Sequence, residues 1–361
     1  MVQFLMYLMA AGAVLGGLDR ILGNRFGLGE AFEEAFRMLG PIALSMAGII
    51  CLAPVLADVL GRVIAPLYHL LGQDPAMFSA VLALDMGGYD MAVRLADSEA
   101  VGQFAGIVAG SLLGCTLSFT IPTGMGLFEG ADRDAFAKGI LYGLVALPLA
   151  LFFGALLSGI APGAALWLCV PVILIAAALM VCLTKAPEAA LKGFKAFAAG
   201  LKALTTLGLA LGAFQFISGI TVLPSLTPLE ESMQVIAAIG VTLLGAQPLA
   251  VILQRVLARP MDWLGRRLGI GGEGVMGFLL FYLNATPGLM AIPKMNRRGQ
   301  IANAAFAVCA ASCLTAHFAF TMNRAPALAL PLLVTKLLGG ILGAALALWR
   351  EKGEEGGSGR A

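Results

Sequence analysis

What most limits the folds open to this chain is a recurrence of long apolar stretches. They lie near residues 3–20, 36–57, 76–96, 100–123, 137–160, 164–184, 196–218, 233–254, 273–293, 299–322 and 326–349. Each is about as long as a helix needs to cross the ~30 Å hydrocarbon core of a bilayer. Lipid cannot satisfy backbone N–H and C=O groups, so a spanning segment must be a helix or part of a closed barrel. Unbroken apolar runs of this length, without alternation, select helices. Of 361 residues, 60% are hydrophobic and only 12% are charged, against about 25% charged in soluble domains. The predicted class is an all-α polytopic integral membrane protein with about 9–11 membrane segments.

The net charge of +2 and the lack of a basic run exclude a nucleic-acid partner. Cys51, Cys115, Cys169, Cys182, Cys309 and Cys313 all fall in apolar segments without metal-ligand spacing, and are expected to be small buried hydrophobes. No P-loop, GxSxG elbow, HExxH or cofactor fingerprint occurs, so no cofactor, metal or ATP hydrolysis is called for.

Charges gather in the connections Asp19 to Glu34, Glu129 to Lys138, Lys185 to Lys195, Arg255 to Arg267 and Lys294 to Arg298. Residues Met1 to Gly17 lack a basic region ahead of the apolar run, so they are expected to form a first membrane helix with its N-terminus outside. The chain divides into a first helix and loop (1–32), a first repeat (33–123), connecting helices (124–230), a second repeat (231–323), a last helix (324–350) and a disordered tail (351–361).

The repeats rest on an ordered series of matches. Residues 51–72 (CLAPVLADVLGRVIAPLYHLLG) resemble 245–269 (GAQPLAVILQRVLARPMDWLGRRLG), with Pro54 and Pro66 falling on Pro248 and Pro260. Farther on, Asp85-Met86-Gly87-Gly88 falls on Asn284-Ala285-Thr286-Pro287, and CTLSFTIP (115–122) on LTAHFAFT (314–321). Two halves, each with an interrupted apolar segment at the same place, point to a transporter site between them. If segments 76–96 and 273–293 are re-entrant, nearly every Lys and Arg faces one side, leaving only Arg62, Arg94 and Arg324 on the other. Full crossing would divide them almost evenly. The positive-inside rule therefore favours hairpins and makes the halves inverted. Helices that unwind midway and cross only partly remain an alternative.

Leu84 to Asp90 is the stretch with the clearest chemistry. An ionised side chain at membrane depth costs about 2.5–3.5 kcal/mol on insertion scales. Gly87 and Gly88 let the backbone leave the helix beside Asp85 and Asp90, and irregular backbone at that depth survives only inside protein or along a wet cavity. Asp85 is the expected cation site, against the alternative of an acid that snorkels from a helix end; Asp90 fits a cavity or an aqueous mouth equally. Asn284, with Thr286 and Gly87 and Gly88, completes the expected site, since an amide offers both donors and an acceptor. Its alternative role is an interhelical hydrogen bond of about 0.6–2 kcal/mol. Lys336 needs a carboxylate, with Asp85 or Asp90 as candidates, and His317 is either a proton relay or a hydrogen-bonded packing residue.

FEEAF (32–36), LAPVLADVLGRVIAPLYHLLGQDPAMF (52–78) and DMGG (85–88) resemble the ethanolamine permease (EutH) family. GQIANAAFAV (299–308), His317-Phe318 and TKLLGG (335–340) extend the resemblance over nearly the whole chain, while FYLNATPG (281–288) is a looser match. The resemblance implies a multi-pass carrier in the bacterial cytoplasmic (inner) membrane that imports ethanolamine. Expected partners are thus ethanolamine and the lipid bilayer, and a homo-oligomer is allowed. A carboxylate suits the ammonium group, and an amide suits the hydroxyl. A carrier of the same fold for another small cation or polar solute is the alternative. An intramembrane enzyme subunit is a weaker one, since no paired catalytic motif is present.

Overall fold

With no water inside a bilayer, each apolar run closes its own hydrogen bonds, and every regular element among the described residues of the computed structural model is helical. The structure describes residues 2–82 and 86–351. Among these, nine helical stretches are long and apolar enough to span: Gln3–Ile21, Leu28–Leu70, Glu99–Leu127, Gly130–Leu157, Pro162–Lys185, Pro187–Ser218, Leu229–Leu268, Arg297–Arg324 and Pro326–Arg350.

The chain opens with α1 (Val2–Ile21), α2 (Leu28–Arg37) and α3 (Leu39–Leu70). Asp19 ties α1 to α2 by accepting the backbone N–H groups of Phe26, Leu28 and Gly29. These donors would otherwise be left open at the start of α2. Helix α3 carries Pro54 and Pro66, and after Ala57 it buries no residue. Two short helices follow, α4 (Ala76–Leu82) and α5 (Tyr89–Leu95). Next comes a long stretch that begins as α6 (Glu99–Phe104), widens into π-wound turns at Ala105–Gly114 and Thr116–Thr120, and ends as α7 (Ile121–Leu127). Helices α8 (Gly130–Leu157), α9 (Pro162–Lys185) and α10 (Pro187–Ser218) then cross in turn.

The later part repeats the order of these features. Helix α11 (Leu229–Leu268) contains Pro248 and Pro260 and buries nothing between Ala250 and Gly265. Helices α12 (Gly271–Leu283) and α13 (Ala285–Ala291) form the second short pair. Then α14 (Arg297–Ala310), a π-wound turn at Cys313–His317 and α15 (Phe318–Arg324) complete a broken span before α16 (Ala329–Arg350). The helix after each pair is capped by a side chain: Ser98 accepts the N–H of Val101, and Asn296 that of Gly299.

Both short pairs turn back on themselves. At the first, the N–H of Asp97, just after α5, donates to Asp74 Oδ2, just before α4, at 3.2 Å. At the second, Asn296 Nδ2, just before α14, donates to the carbonyl of Gly269, just before α12, at 3.0 Å. With its two ends held together in this way, each pair returns to the side it entered from and does not cross in one pass. Of the arrangements the charge pattern left open, the structure has hairpins.

The two hairpins open at opposite ends of the molecule, and α8 is the ruler. Its first turn meets the base of the second hairpin, where Gln300 Nε2 donates to Asp132 Oδ1 at 2.8 Å. After its 28 residues, about 42 Å of helix, the chain enters α9 at the base of the first hairpin. There Gln73 Nε2 donates to the Trp167 carbonyl at 2.9 Å, and Trp167 Nε1 to that of Gly72 at 2.6 Å. Arg298 and Lys138 lie at the α8-start end, bound to the Leu348 carbonyl and to Glu351.

The core lies where α8, α14 and α16 pack with almost no side chain between them. A Cβ on Gly139 would sit 2.3 Å from the carbonyl oxygen of Ile301, so only glycine permits that approach.

Three expectations need correction. Lys192 and Lys195 lie on the first turns of α10, and Arg255 to Arg267 lies within α11, rather than in connections, because Pro187 starts a helix that Ala- and Leu-rich sequence continues and α11 runs on to Leu268. Cys182 is exposed, since its helix turns that face outward, while the other five cysteines are buried. The tail does not begin at 351: Glu351 is buried, holding Lys138 Nζ at 2.9 Å and the Tyr142 hydroxyl at 2.8 Å. Residues 352–361 lie outside the described residues.

Candidate functional site

The first hairpin has a polar base. Asp74 accepts the N–H groups of Ala76 and Asp97, and His69 Nε2 lies 3.0 Å from the Asp97 carboxylate. Burial pushes the Asp74 carboxyl above its ordinary value, and the nearby charge of Asp97 adds to the shift. With Gln73 and Trp167 these residues line a recess of about 390 Å³.

Asp85, the expected cation site, lies outside the described residues, between α4 and Met86 in sequence. On the α5 side Met86, Gly87 and Gly88 are all buried. The glycine pair was expected to free the backbone, yet the left-handed conformation falls on Met86, at φ +75°. Gly88 keeps a right-handed conformation at the start of α5. A side chain in that region costs about 1–2 kcal/mol, so the packing around Met86 must impose it.

Asp90 is not the counter-ion of Lys336. It forms an ion pair with Arg324, at the C-terminal end of α15. The same guanidinium lies 5.3 Å from the centroid of the Tyr89 ring. The reason is depth. Arg324 is at the end of its helix, whereas Lys336 is seven residues into α16, about 10 Å farther in. Lys336 is buried, and its Nζ donates to the carbonyl of Ser111 at 2.8 Å, within the π-wound stretch that follows the first hairpin.

The second hairpin has a neutral tip held by hydrogen bonds. Asn284 is extended (φ −150°, ψ 132°), and its Oδ1 accepts the N–H of Thr286 at 3.1 Å, so it caps α13. The chain before Cys313 unwinds at Ser312, φ +57°. The Ser312 N–H donates to the Phe281 carbonyl at 2.8 Å, and its Oγ accepts the N–H of Ala285 at 3.1 Å. Thr315 Oγ1 donates to the carbonyl of Leu283 at 2.6 Å, and the Tyr282 hydroxyl to that of Leu333 at 3.1 Å. Open backbone groups at both helix ends of the tip thus find partners on the break in α14–α15, and the Tyr282 side chain ties the hairpin to α16. Thr286 itself is exposed.

His317 is fully buried, and neither ring nitrogen has a hydrogen-bond partner among the described residues. The hydrogen-bonded packing role expected of it is therefore absent there.

Hairpin residues and Lys336 converge through α16, which accepts Tyr282 of one hairpin and donates to the helix following the other. Ser312 and Thr315 did not stand out in the sequence, and Arg324 did so only as one of three arginines on the charge-poor side. Ser312 carried no signal, since a serine among small residues looks like ordinary helix packing.

The family model described as "Ethanolamine utilisation protein, EutH" matches residues 1–350. A protein of Listeria monocytogenes named probable ethanolamine permease EutH is 38% identical over 348 residues, covering 96% of this chain and 93% of its own length. The Escherichia coli protein of that name is 34% identical over 385 aligned positions, covering 96% of this chain and 94% of its own. The uncharacterized protein YxeR of Bacillus subtilis is 34% identical over 345 residues, covering 95% and 93%. No solved structure matches the chain. Relatives named permeases, together with nine apolar helices among the described residues, point to a multi-pass membrane transporter rather than an enzyme. On the match of its whole membrane portion, the chain belongs to the EutH family.

Proposed function

We propose that this protein is a secondary carrier that brings ethanolamine, as its cation, across the bacterial cytoplasmic (inner) membrane. The substrate site lies between the tips of the two hairpins, with Asp85 as countercharge to the ammonium and Asn284 and Thr286 beside the hydroxyl. Gly87 and Gly88 leave backbone close to the substrate. Residues 33–123 and 231–323 are inverted repeats on this reading. The observation that carries it is the pair of hairpins opening at opposite ends of α8. Such a pair offers a midway site alternately to either side. A primary alkylamine resembles a lysine side chain, with a pKa of about 10.4, so at neutral pH the substrate is a cation that cannot cross lipid unaided. The printed names of the relatives support the choice of ethanolamine.

Purified protein in liposomes should take up labelled ethanolamine saturably at about pH 6–7, where the amine is charged. Excess unlabelled ethanolamine should compete better than ethylamine, and ethylene glycol should not compete. Uptake no greater than in protein-free vesicles would sink the proposal. The inverted arrangement has its own test. In a cysteine-free background, Gly163→Cys and Arg266→Cys, both at exposed positions, should react with impermeant reagents from opposite sides. Labelling from the same side would remove the inversion.

A further inference from the structure

We propose that Asp90 and the Tyr89 ring form an outlying subsite for the substrate's ammonium, and that Arg324 is a built-in occupant that the substrate displaces. This inference rests on the ethanolamine carrier proposed above and adds a second stop on its route. A carboxylate beside an aromatic face is what recognises an alkylammonium: the acid supplies charge and acceptors, the ring a negative surface. Both are present on consecutive residues of α5, and a cation already sits on them. The Arg324 guanidinium pairs with Asp90 and lies 5.3 Å from the Tyr89 centroid.

The subsite does not depend on Arg324 for its shape. Tyr89 stands edge-on to Phe320 at 5.8 Å. Its backbone presses so closely on Gly106 that a Cβ there would come within 2.9 Å of Tyr89 Cα. The aromatic wall therefore stays in place if the guanidinium leaves. A cavity of about 150 Å³ opens beside the ion pair, lined by Asp90 and Arg324 with Ile50, Arg94, Thr227 and Glu231. Ethanolamine has four heavy atoms, on the order of 100 Å³ at the ~30 Å³ that each water fills in the liquid. Charge points the same way. Asp90 and Glu231 balance Arg94 and Arg324, so withdrawing the guanidinium leaves one net negative charge, the complement of a monovalent cation.

Displacement has a mechanical consequence. The ion pair joins α5 of the first hairpin to the end of α15, and the Tyr89 hydroxyl adds a hydrogen bond to the Arg324 carbonyl at 3.4 Å. A cation taking over Asp90 removes the charged tie between hairpin and helix, while the Tyr89–Phe320 contact stays. Arrival of substrate and loss of that tie become one event.

The test compares half-saturating ethanolamine for uptake into proteoliposomes and for ligand-induced thermal stabilisation of purified protein. Arg324→Gln removes the competitor and should lower the half-saturating concentration by on the order of tenfold, the effect of relieving about 1.4 kcal/mol of competition. Asp90→Asn should raise it, and Asp90→Asn should cancel the gain when combined with Arg324→Gln. If Arg324→Gln does not fold, Arg324→Lys keeps the charge but loses the planar stack, and should give a smaller gain. An ion pair that only holds helices together would cost thermal stability in both single variants and leave half-saturation unchanged, overturning the inference while wild-type uptake stands. A wild type that neither binds nor transports ethanolamine would remove the function and this subsite with it.

Discussion

The two hairpins occupy matching positions in the chain and are fastened by different chemistry. The first is tied to the second half by the ion pair of Asp90 with Arg324 and by one long hydrogen bond from Tyr89. The second is tied through its own backbone: Ser312, Thr315 and Asn284 satisfy the open N–H and C=O groups at its tip. A charged contact can be exchanged for another charge, whereas an uncapped backbone group in an apolar interior has nothing to replace its partner. The first hairpin is thus the better suited to exchange contacts during transport, and the second to act as a fixed wall. The residues divide in the same way. Acids lie in the first hairpin, while the tip of the second carries an amide and hydroxyls.

That contrast can be broken most directly at the acids. Asp85→Asn keeps the side-chain size and removes the charge proposed to meet the ammonium where water screens poorly. Carrier-mediated ethanolamine uptake at low pH should collapse, while passive entry of the neutral amine at high pH is unaffected. Normal folding with wild-type uptake would move the ammonium site to Asp90. The corresponding changes in the second hairpin should act on stability first. Thr315→Val leaves the Leu283 carbonyl without its partner and should lower stability by about 1–3 kcal/mol, seen as a lower melting temperature in detergent. Asn284→Ala removes a helix cap, worth typically about 1 kcal/mol, and Asn284→Ser should recover most of it. If Asn284 also meets the substrate hydroxyl, the serine variant will restore stability yet still weaken ethanolamine more than ethylamine. Equal effects on both amines would confine Asn284 to capping.

Much of this arrangement was legible in residues that must obey local rules. Proline at 54, 66, 248 and 260 marks a long helix at the same place in both halves. The scarcity of arginine on one side anticipated the hairpins, because charge in a connection is fixed by which face of the membrane that connection meets. The glycines of α16 permit its close packing, where a Cβ on Gly340 would meet Ala310 and Phe306. Asn284 was legible as important, but not in which capacity. Its side chain caps α13, a use that depends on Asn284 itself leaving the helix.

Sequence by itself determined the membrane class, the approximate places of the apolar segments, and the chemistry available at each hairpin, because burial in lipid acts on every segment separately. Only the tertiary structure decided which charges meet. Asp85 and Asp90 were both candidates for Lys336; Asp90 went to Arg324, Lys336 donates to the Ser111 carbonyl, and Asp85 lies outside the described residues. It also decided that Met86, rather than a glycine, takes the left-handed turn, and that Ser312 unwinds to serve the second hairpin. Pairing between distant segments depends on depth and on the face each helix turns inward. Those are set by the packing of all the helices together, which no single stretch of sequence records.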